Sequence, residues 1–454
     1  MATEPSDSEE RTAGRLPGGG GRRHSDRLRD RPPWRDRATG AYESAEHFLE
    51  RRSVARMARA VPRTARFVSS ARQTGSVHPG ISLPDLTLGL AAGVAMDEAM
   101  IAAMLSPARF PRLGDYERVG AELAAALELF TERGWMEAPA SYHRAPPPLA
   151  NRDLVATTGW VKRTGYEHLS WDSGFSPRHD EPGRARWESF GPNKRAAANI
   201  VRHHDDRRGD RRPWLVCVHG FTMGFPRMDF QGLQTIRLHD ELGLNIALPV
   251  LPLHGPRKVT RLSGEPFLSF EMMNSIHGFA QAVWDIRRLI SWIRGQGATS
   301  IGLYGVSLGG YVVSLLACLE EGLHAVIAGI PVTDVPSLFA AHSPMPVRTQ
   351  ANEHGLLTDG TKSAHRVVSP LVLDCLVPGD RRFIFAGYGD RLAFPYQADR
   401  LREHWGRPAI CWYHGGHVGY LWSREVARFL GESLVRSGLQ GEPNANGSLA
   451  FARD

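Results

Sequence analysis

From Trp214 onward one pattern repeats that leaves few folds open: a short, continuous apolar run followed by a turn or a helical stretch. Four runs have this character, 214–218, 245–251, 300–304 and 325–330, and two more follow at 383–386 and 409–413. Continuous apolarity means burial on both faces, which a strand attains in the interior of a layered structure. A helical stretch carrying Phe279, Val283, Ile286, Ile290 and Ile293 at 3–4-residue spacing precedes the run 300–304. Strands alternating with helices predict an α/β fold, a mostly parallel sheet covered by helices on both faces. Earlier strands are expected at 160–171 and 197–203.

Upstream of the sheet the texture differs. Residues 1–40 are rich in Gly, Pro, Arg, Asp and Ser, including Gly18 to Gly21 in succession. So little apolar surface cannot offset the entropy of ordering, so this tail is expected to be disordered. Residues 41–149 read as a helical N-terminal region. Phe48, Leu49, Val54, Met57 and Val61 recur near helical spacing beside Arg51, Arg52, Arg56 and Arg59. Such a basic amphipathic helix is compatible with peripheral contact with an anionic membrane, although packing on its own domain is the plainer reading. A second helical run covers about 116–134 and ends before a proline-rich linker at 144–149. The most apolar stretch, 86–105, carries Asp97 and Glu98 at its centre, which argues for a buried helix or helical hairpin over a membrane span. A catalytic domain is expected over 150–438, with 331–382 as a cap insertion, and 439–454 as a flexible tail.

Charge and cysteine narrow the partners. A formal net charge of +7 favours solubility and weak attraction to anionic surfaces, and no nucleic-acid motif accompanies it. Cys217, Cys318, Cys375 and Cys411 are widely spaced, so reduced core thiols and a cytoplasmic setting are expected in place of a disulfide framework. Arg22-Arg23 is followed by no apolar segment of the kind an export signal needs.

The chemistry concentrates at the ends of the apolar runs. Ser307 lies in Gly305-Val306-Ser307-Leu308-Gly309, between the run 300–304 and a helix carrying Val312, Val313, Leu315 and Leu316. A nucleophile on a sharp strand-to-helix turn needs small neighbours two residues to either side, and sits where helix N-terminal amides favour an oxyanion. A serine hydroxyl also needs a base. The run 409–413 is followed by His414-Gly415-Gly416-His417, and His417 is preferred because two glycines let its ring turn back over the sheet edge; His414 is the alternative. Asp390, in a turn directly after 383–386, is the natural acid to orient the imidazole, with Asp334 as runner-up. For the oxyanion, one amide donor is Leu308 and the second is Phe221, which follows Gly220 after 214–218. His219 reads as support for that loop.

Together, His219-Gly220-Phe221-Thr222, the Ser307 pentapeptide, Asp390 and Gly416-His417 resemble the α/β-hydrolase superfamily, especially its carboxylesterase-like members, over about 160–438. The order Ser307, Asp390, His417 is the one that superfamily uses. The resemblance implies Ser307 as nucleophile, His417 as base, Asp390 as orienting acid, and the Phe221 and Leu308 amides as oxyanion hole. It also implies a small-molecule acyl-ester substrate and no metal or organic cofactor. The run Leu251-Pro252-Leu253-His254-Gly255-Pro256-Arg257 falls in a loop that borders the active site in many relatives. Acyltransferase, thioesterase and peptidase activities on the same fold remain open at this stage, as does a non-catalytic scaffold. Haloalkane dehalogenases and epoxide hydrolases would carry Asp where Ser307 stands.

Overall fold

The apolar runs become the strands of a single nine-stranded sheet in the computed structural model, which describes residues 59–83, 85–104, 111–203, 212–357 and 359–442. In chain order they are β1 (Val155–Val161), β2 (Thr164–Asp172), β3 (Arg195–Val201), β4 (Trp214–Val218), β5 (Asn245–Val250), β6 (Ile301–Val306), β7 (Ala325–Gly329), β8 (Arg382–Gly387) and β9 (Ala409–Tyr413). Their order across the sheet is β9-β8-β7-β6-β4-β5-β3-β2-β1. All neighbours from β5 through β4 to β9 pair in parallel, whereas β3 runs antiparallel to both β5 and β2. The fold is therefore α/β, the α/β-hydrolase fold, with a helical N-terminal extension.

Burial explains why the central strands are apolar throughout. Every residue of β4, β5, β6 and β7 is buried. Successive side chains serve opposite faces: Trp214, Val216 and Val218 enter one hydrophobic core and Leu215 and Cys217 the other. The first core is covered by α6 (Met272–Gly295) and α7 (Leu308–Leu316), the second by α5 (Thr235–Leu242) and α12 (Arg424–Arg436). Between β7 and β8 the chain forms α8 (Val335–His342), α9 (Met345–Glu353) and α10 (Asp359–Ala364); other helices are α1 (Ala60–Thr74), α2 (Leu88–Met104), α3 (Leu113–Glu132), α4 (Pro226–Gly232) and α11 (Pro395–His404), besides a short one at Arg184–Glu188.

Several expectations change in detail. The single strand expected at 160–171 is a hairpin, β1 and β2, because Lys162 takes a positive φ of 54° and reverses the chain between Val161 and Thr164. Of the two forms expected for the run 86–105, the structure has the single helix, α2, over Leu88–Met104. Helix α6 is buried around most of its circumference, because its polar side also has partners: Asp285 pairs with Arg257 at 2.8 Å, and Gln281 accepts from Trp187 and Asn193. Tyr116, Val119, Leu123, Ala126 and Phe130 of α3 join the first core, so this helix packs directly on the sheet domain. The tail expected at 1–40, the helix built on Phe48, Leu49, Val54 and Met57, and residues 443–454 lie outside the described residues. No helix among the described residues is long and apolar enough to cross a membrane.

The ordered chain continues past the expected boundary at 438. Leu439 is fully buried against Gly302 of β6, and the Gly441 amide donates to the Leu242 carbonyl. Replacing Leu439 by Ala is expected to lower unfolding free energy by about 2–4 kcal/mol through lost burial and an unfilled cavity. Chemical denaturation of the full chain measures it.

Candidate active site

The sharp turn after β6 follows from steric necessity at two glycines. A Cβ on Gly305 would lie 2.3 Å from the Gly309 carbonyl oxygen, and one on Gly309 would lie 2.0 Å from the Val218 carbonyl oxygen. Only glycine allows α7 to start this close to the ends of β6 and β4. Ser307, between them, has φ 57° and ψ −115°, a conformation an L-residue adopts at a cost of about 1–3 kcal/mol. Its amide donates to Gly329 of β7, and its side chain remains partly exposed.

Two loops converge on that serine. Asp390 follows β8, and His417 lies in the loop after β9. His417 Nδ1 is 2.7 Å from Asp390 Oδ2, and Nε2 is 3.0 Å from Ser307 Oγ. The other carboxylate oxygen, Asp390 Oδ1, accepts the amides of Leu392 and Ala393 at 2.9 and 2.8 Å, which fixes the carboxylate plane. Asp390 therefore presents one oxygen to the backbone and one to the imidazole. With Nδ1 donating to the acid, Nε2 is free to accept from the serine hydroxyl. Burial opposes charge on His417, yet the Asp390 carboxylate, by its charge and its hydrogen bond, and then Asp97 shift its pKa upward from 6.5.

The loop after β4 lies against the same turn. An ideal Cβ on Gly220 would stand 3.5 Å from the Ser307 Cβ, so the turn that precedes Phe221 lies against Ser307. Neither the Phe221 nor the Leu308 amide donates to another group among the described residues. The loop is held from below. His219 Nε2 accepts the Leu251 amide at 3.1 Å, Asp229 Oδ1 accepts the Gly224 amide at 3.0 Å, and Ser263 donates to the Met223 carbonyl at 2.6 Å. His254, from the 251–257 run, packs its ring at 5.1 Å from His219 and 6.1 Å from Phe221. That run thus backs the loop carrying Phe221.

The alternatives stand elsewhere. Asp334 caps α8, accepting from Ser337, and pairs with Arg400 at 2.8 Å. His414 packs on the Tyr388 ring at 5.2 Å and is not joined to Ser307. One contributor escaped the sequence reading as a site residue. Asp97, on α2, accepts the His417 amide at 2.8 Å and the Arg391 amide at 2.9 Å through the same oxygen, Oδ2. Two adjacent carboxylates in an otherwise apolar helix were the available signal, since buried charges require partners. Nothing in that signal says which partners.

Among known proteins, the chain is 43% identical over 359 residues to Uncharacterized protein MT2702 of Mycobacterium tuberculosis (strain CDC 1551 / Oshkosh), covering 79% of this chain and 84% of that one. Uncharacterized protein Rv2627c of M. tuberculosis (strain ATCC 25618 / H37Rv) matches with the same identity and coverage. No family model matches. Among solved structures, the chain is similar to acetyl xylan esterase 1 from Thermoanaerobacterium sp. JW/SL YS485 (TM-score 0.47, 13% identity, 68% of this chain and 93% of that one). It is also similar to an acetyl xylan esterase from Paenibacillus sp. R4 (TM-score 0.42, 14% identity, 67% and 99%). A puromycin-hydrolyzing peptidase of M. tuberculosis has a TM-score of 0.38 and 16% identity, covering 55% of this chain and 38% of that one.

The backbone at position 307 has a measurable consequence. Ser307→Gly and Ser307→Ala remove the same hydroxyl, but only glycine adopts the observed φ without strain. After allowing for the greater unfolded-state entropy of glycine, Ser307→Gly is expected to be the more stable by about 1 kcal/mol. Equal denaturation midpoints for the two variants would contradict a strained turn.

Proposed function

Because the chain belongs to one family with these two mycobacterial proteins and is built on the α/β-hydrolase fold, we propose that it is a serine hydrolase cleaving a carboxylic ester or related acyl bond. The observation that carries this reading is the continuous hydrogen-bond chain from Asp390 through His417 to Ser307, 2.7 and 3.0 Å long, at the carboxyl edge of the sheet. A chain of this kind activates an otherwise weak hydroxyl nucleophile.

In the proposed reaction His417 Nε2 takes the Ser307 proton as Oγ attacks the ester carbonyl. The carbonyl electron pair moves onto oxygen, where the Phe221 and Leu308 amides receive it. The imidazolium, held by Asp390, passes the proton to the departing alcohol and leaves an acyl group on Ser307. Water then attacks the acyl carbonyl, giving its proton to His417, and the carboxylic acid leaves as Oγ is reprotonated. Loss of one oxyanion donor in such a site costs about 3–4 kcal/mol of transition-state stabilisation.

The β7–β8 insertion is the candidate for bounding the substrate, as a cap. Its helix α8 reaches the acid-bearing loop: His342 Nε2 is 2.8 Å from the Leu392 carbonyl, and the His342 ring stacks on Phe394 at 5.1 Å. From the other side, α3 supports this insertion through Tyr116, whose ring lies 5.9 Å from His354.

Ser307→Ala is expected to abolish hydrolysis of short p-nitrophenyl esters and labelling by a fluorophosphonate probe while leaving circular dichroism unchanged. Retained activity would remove Ser307 as the nucleophile. The pH profile provides an independent check. His417 acts as base only when neutral, and its pKa is shifted upward, so kcat/KM should fall with decreasing pH through a midpoint above 6.5. A midpoint at or below 6.5 speaks against the buried Asp390–His417 arrangement.

A further inference from the structure

Helix α2 precedes the part of the chain that resembles hydrolases, yet one of its faces is fitted to the loops that carry Asp390 and His417. Leu90, Gly93, Val94 and Asp97 recur at the 3–4-residue spacing of a single helical stripe. A Cβ on Gly389 would meet Leu90 at 2.7 Å and Val94 at 2.8 Å. Closer still, a Cβ on Gly93 would stand 2.4 Å from the Gly416 amide nitrogen, and one on Gly416 2.5 Å from the Gly93 carbonyl oxygen. Backbone therefore lies on backbone where α2 meets the residue before His417.

Asp97 closes the stripe, with no solvent exposure. Its Oδ2 accepts two amides, one from the residue after Asp390 and one from His417 itself, while Oδ1 is buried without a hydrogen-bond partner among the described residues. The neighbouring Glu98 holds the Arg391 guanidinium at 3.0 Å and Arg63 of α1 at 3.1 Å, so the local cations are spent on Glu98. Groups facing Asp97 are Asp390 and Arg391 of the acid-bearing loop, His417 of the base-bearing loop and the Tyr413 phenol; His342 of α8 faces Asp390, and Glu98 and Arg63 lie beside it. A polar group with these contacts is an expensive occupant of a helix face that alanine or leucine could fill.

We infer that Asp97 is a positioning residue of the active site: its carboxylate locks the acid-bearing and base-bearing loops together through their amides. When ionised, it also favours the protonated form of His417. This rests on the reading of Ser307, Asp390 and His417 as a hydrolytic triad. Burial and then the nearby Asp390 carboxylate push the Asp97 carboxyl up to about 7. The protonation of Asp97 and that of His417 are therefore coupled.

The test compares full-length wild type with Asp97→Asn, Asp97→Ala and Gly93→Ala. Asparagine keeps an acceptor for the two amides and loses the charge. Its plateau kcat/KM should stay within about threefold of wild type, while the acid limb moves down by about one pH unit. Alanine leaves both amides unsatisfied, and kcat should fall by about tenfold with little change in KM. Gly93→Ala pushes on the Gly416 amide and leaves the charge intact, so kcat should fall with the limb unmoved. An Asp97→Asn limb that coincides with wild type overturns the charge role, and wild-type kcat in both Asp97→Ala and Gly93→Ala overturns the locking role. Titration of the His417 imidazole by NMR in wild type and Asp97→Asn reads the same shift without substrate. A protein that Ser307-directed fluorophosphonate fails to label would sink the hydrolase reading, and the NMR titration would still decide the case of Asp97.

Discussion

Among the tightest approaches in the sheet domain is that of Gly309 to the end of β4, where a side chain would overlap the Val218 carbonyl. That approach is possible only because β4 and β6 are adjacent and parallel, so that both end at the same edge. It forces Ser307 into the left-handed half of conformational space and sets its hydroxyl above the sheet. It also places the Gly220 turn beside the Ser307 Cβ. The proposed nucleophile and the amides proposed to receive the oxyanion are thus products of one steric fit, and Gly305 and Gly309 are constrained by the backbone they touch.

Much of this was legible in the chain because local rules and tertiary burial agree. Runs such as Trp214–Val218 are apolar on both faces since both faces are covered, and the strand ends were readable to within a residue or two. Ser307, Asp390 and His417 each follow such a run, so the topology that makes the strands parallel also gathers the turns after them at one edge. The failures have physical causes as well. Lys162 is an ordinary residue in a reversing conformation, with no glycine to mark it, so β1 and β2 read as one strand. On α6 the spacing marks only the apolar stripe, and it is silent on Asp285 and Gln281, which are buried against Arg257, Trp187 and Asn193, partners from distant segments.

Polar burial recurs wherever a loop of the site needs a fixed shape. The 219–224 loop has no regular structure of its own, and its backbone groups must still be satisfied. From within the loop His219 Nδ1 faces the Gly220 carbonyl at 2.9 Å, Asp229 of α4 accepts the Gly224 amide, and Ser263 donates to the Met223 carbonyl. Burial holds the Asp229 carboxyl above the usual carboxylate range, while the nearby His219 and the Gly224 amide act in the opposite direction. Such groups add little net stability over apolar ones of the same size, because desolvation consumes most of the gain. Their effect is to leave one arrangement of the loop satisfied and its competitors with buried, unpaired donors.

The same logic extends to the N-terminal layer and makes it hard to regard as an appendage. Asp97 reaches Arg391 and His417 across 294 and 320 residues of sequence, a separation at which no spacing rule operates. What the sequence did contain was an anomaly, two acids inside a helix otherwise composed for burial. A charge placed there must lower the energy of some other arrangement, and the groups it touches are the amides beside the proposed acid and base. Burial and then the Asp390 carboxylate disfavour ionisation of Asp97. Such an arrangement is sustained only if the surrounding fold determines it. Here α2 supplies that determination by laying its own backbone against Gly416, so that the helix cannot withdraw its carboxylate without opening the loop that carries His417.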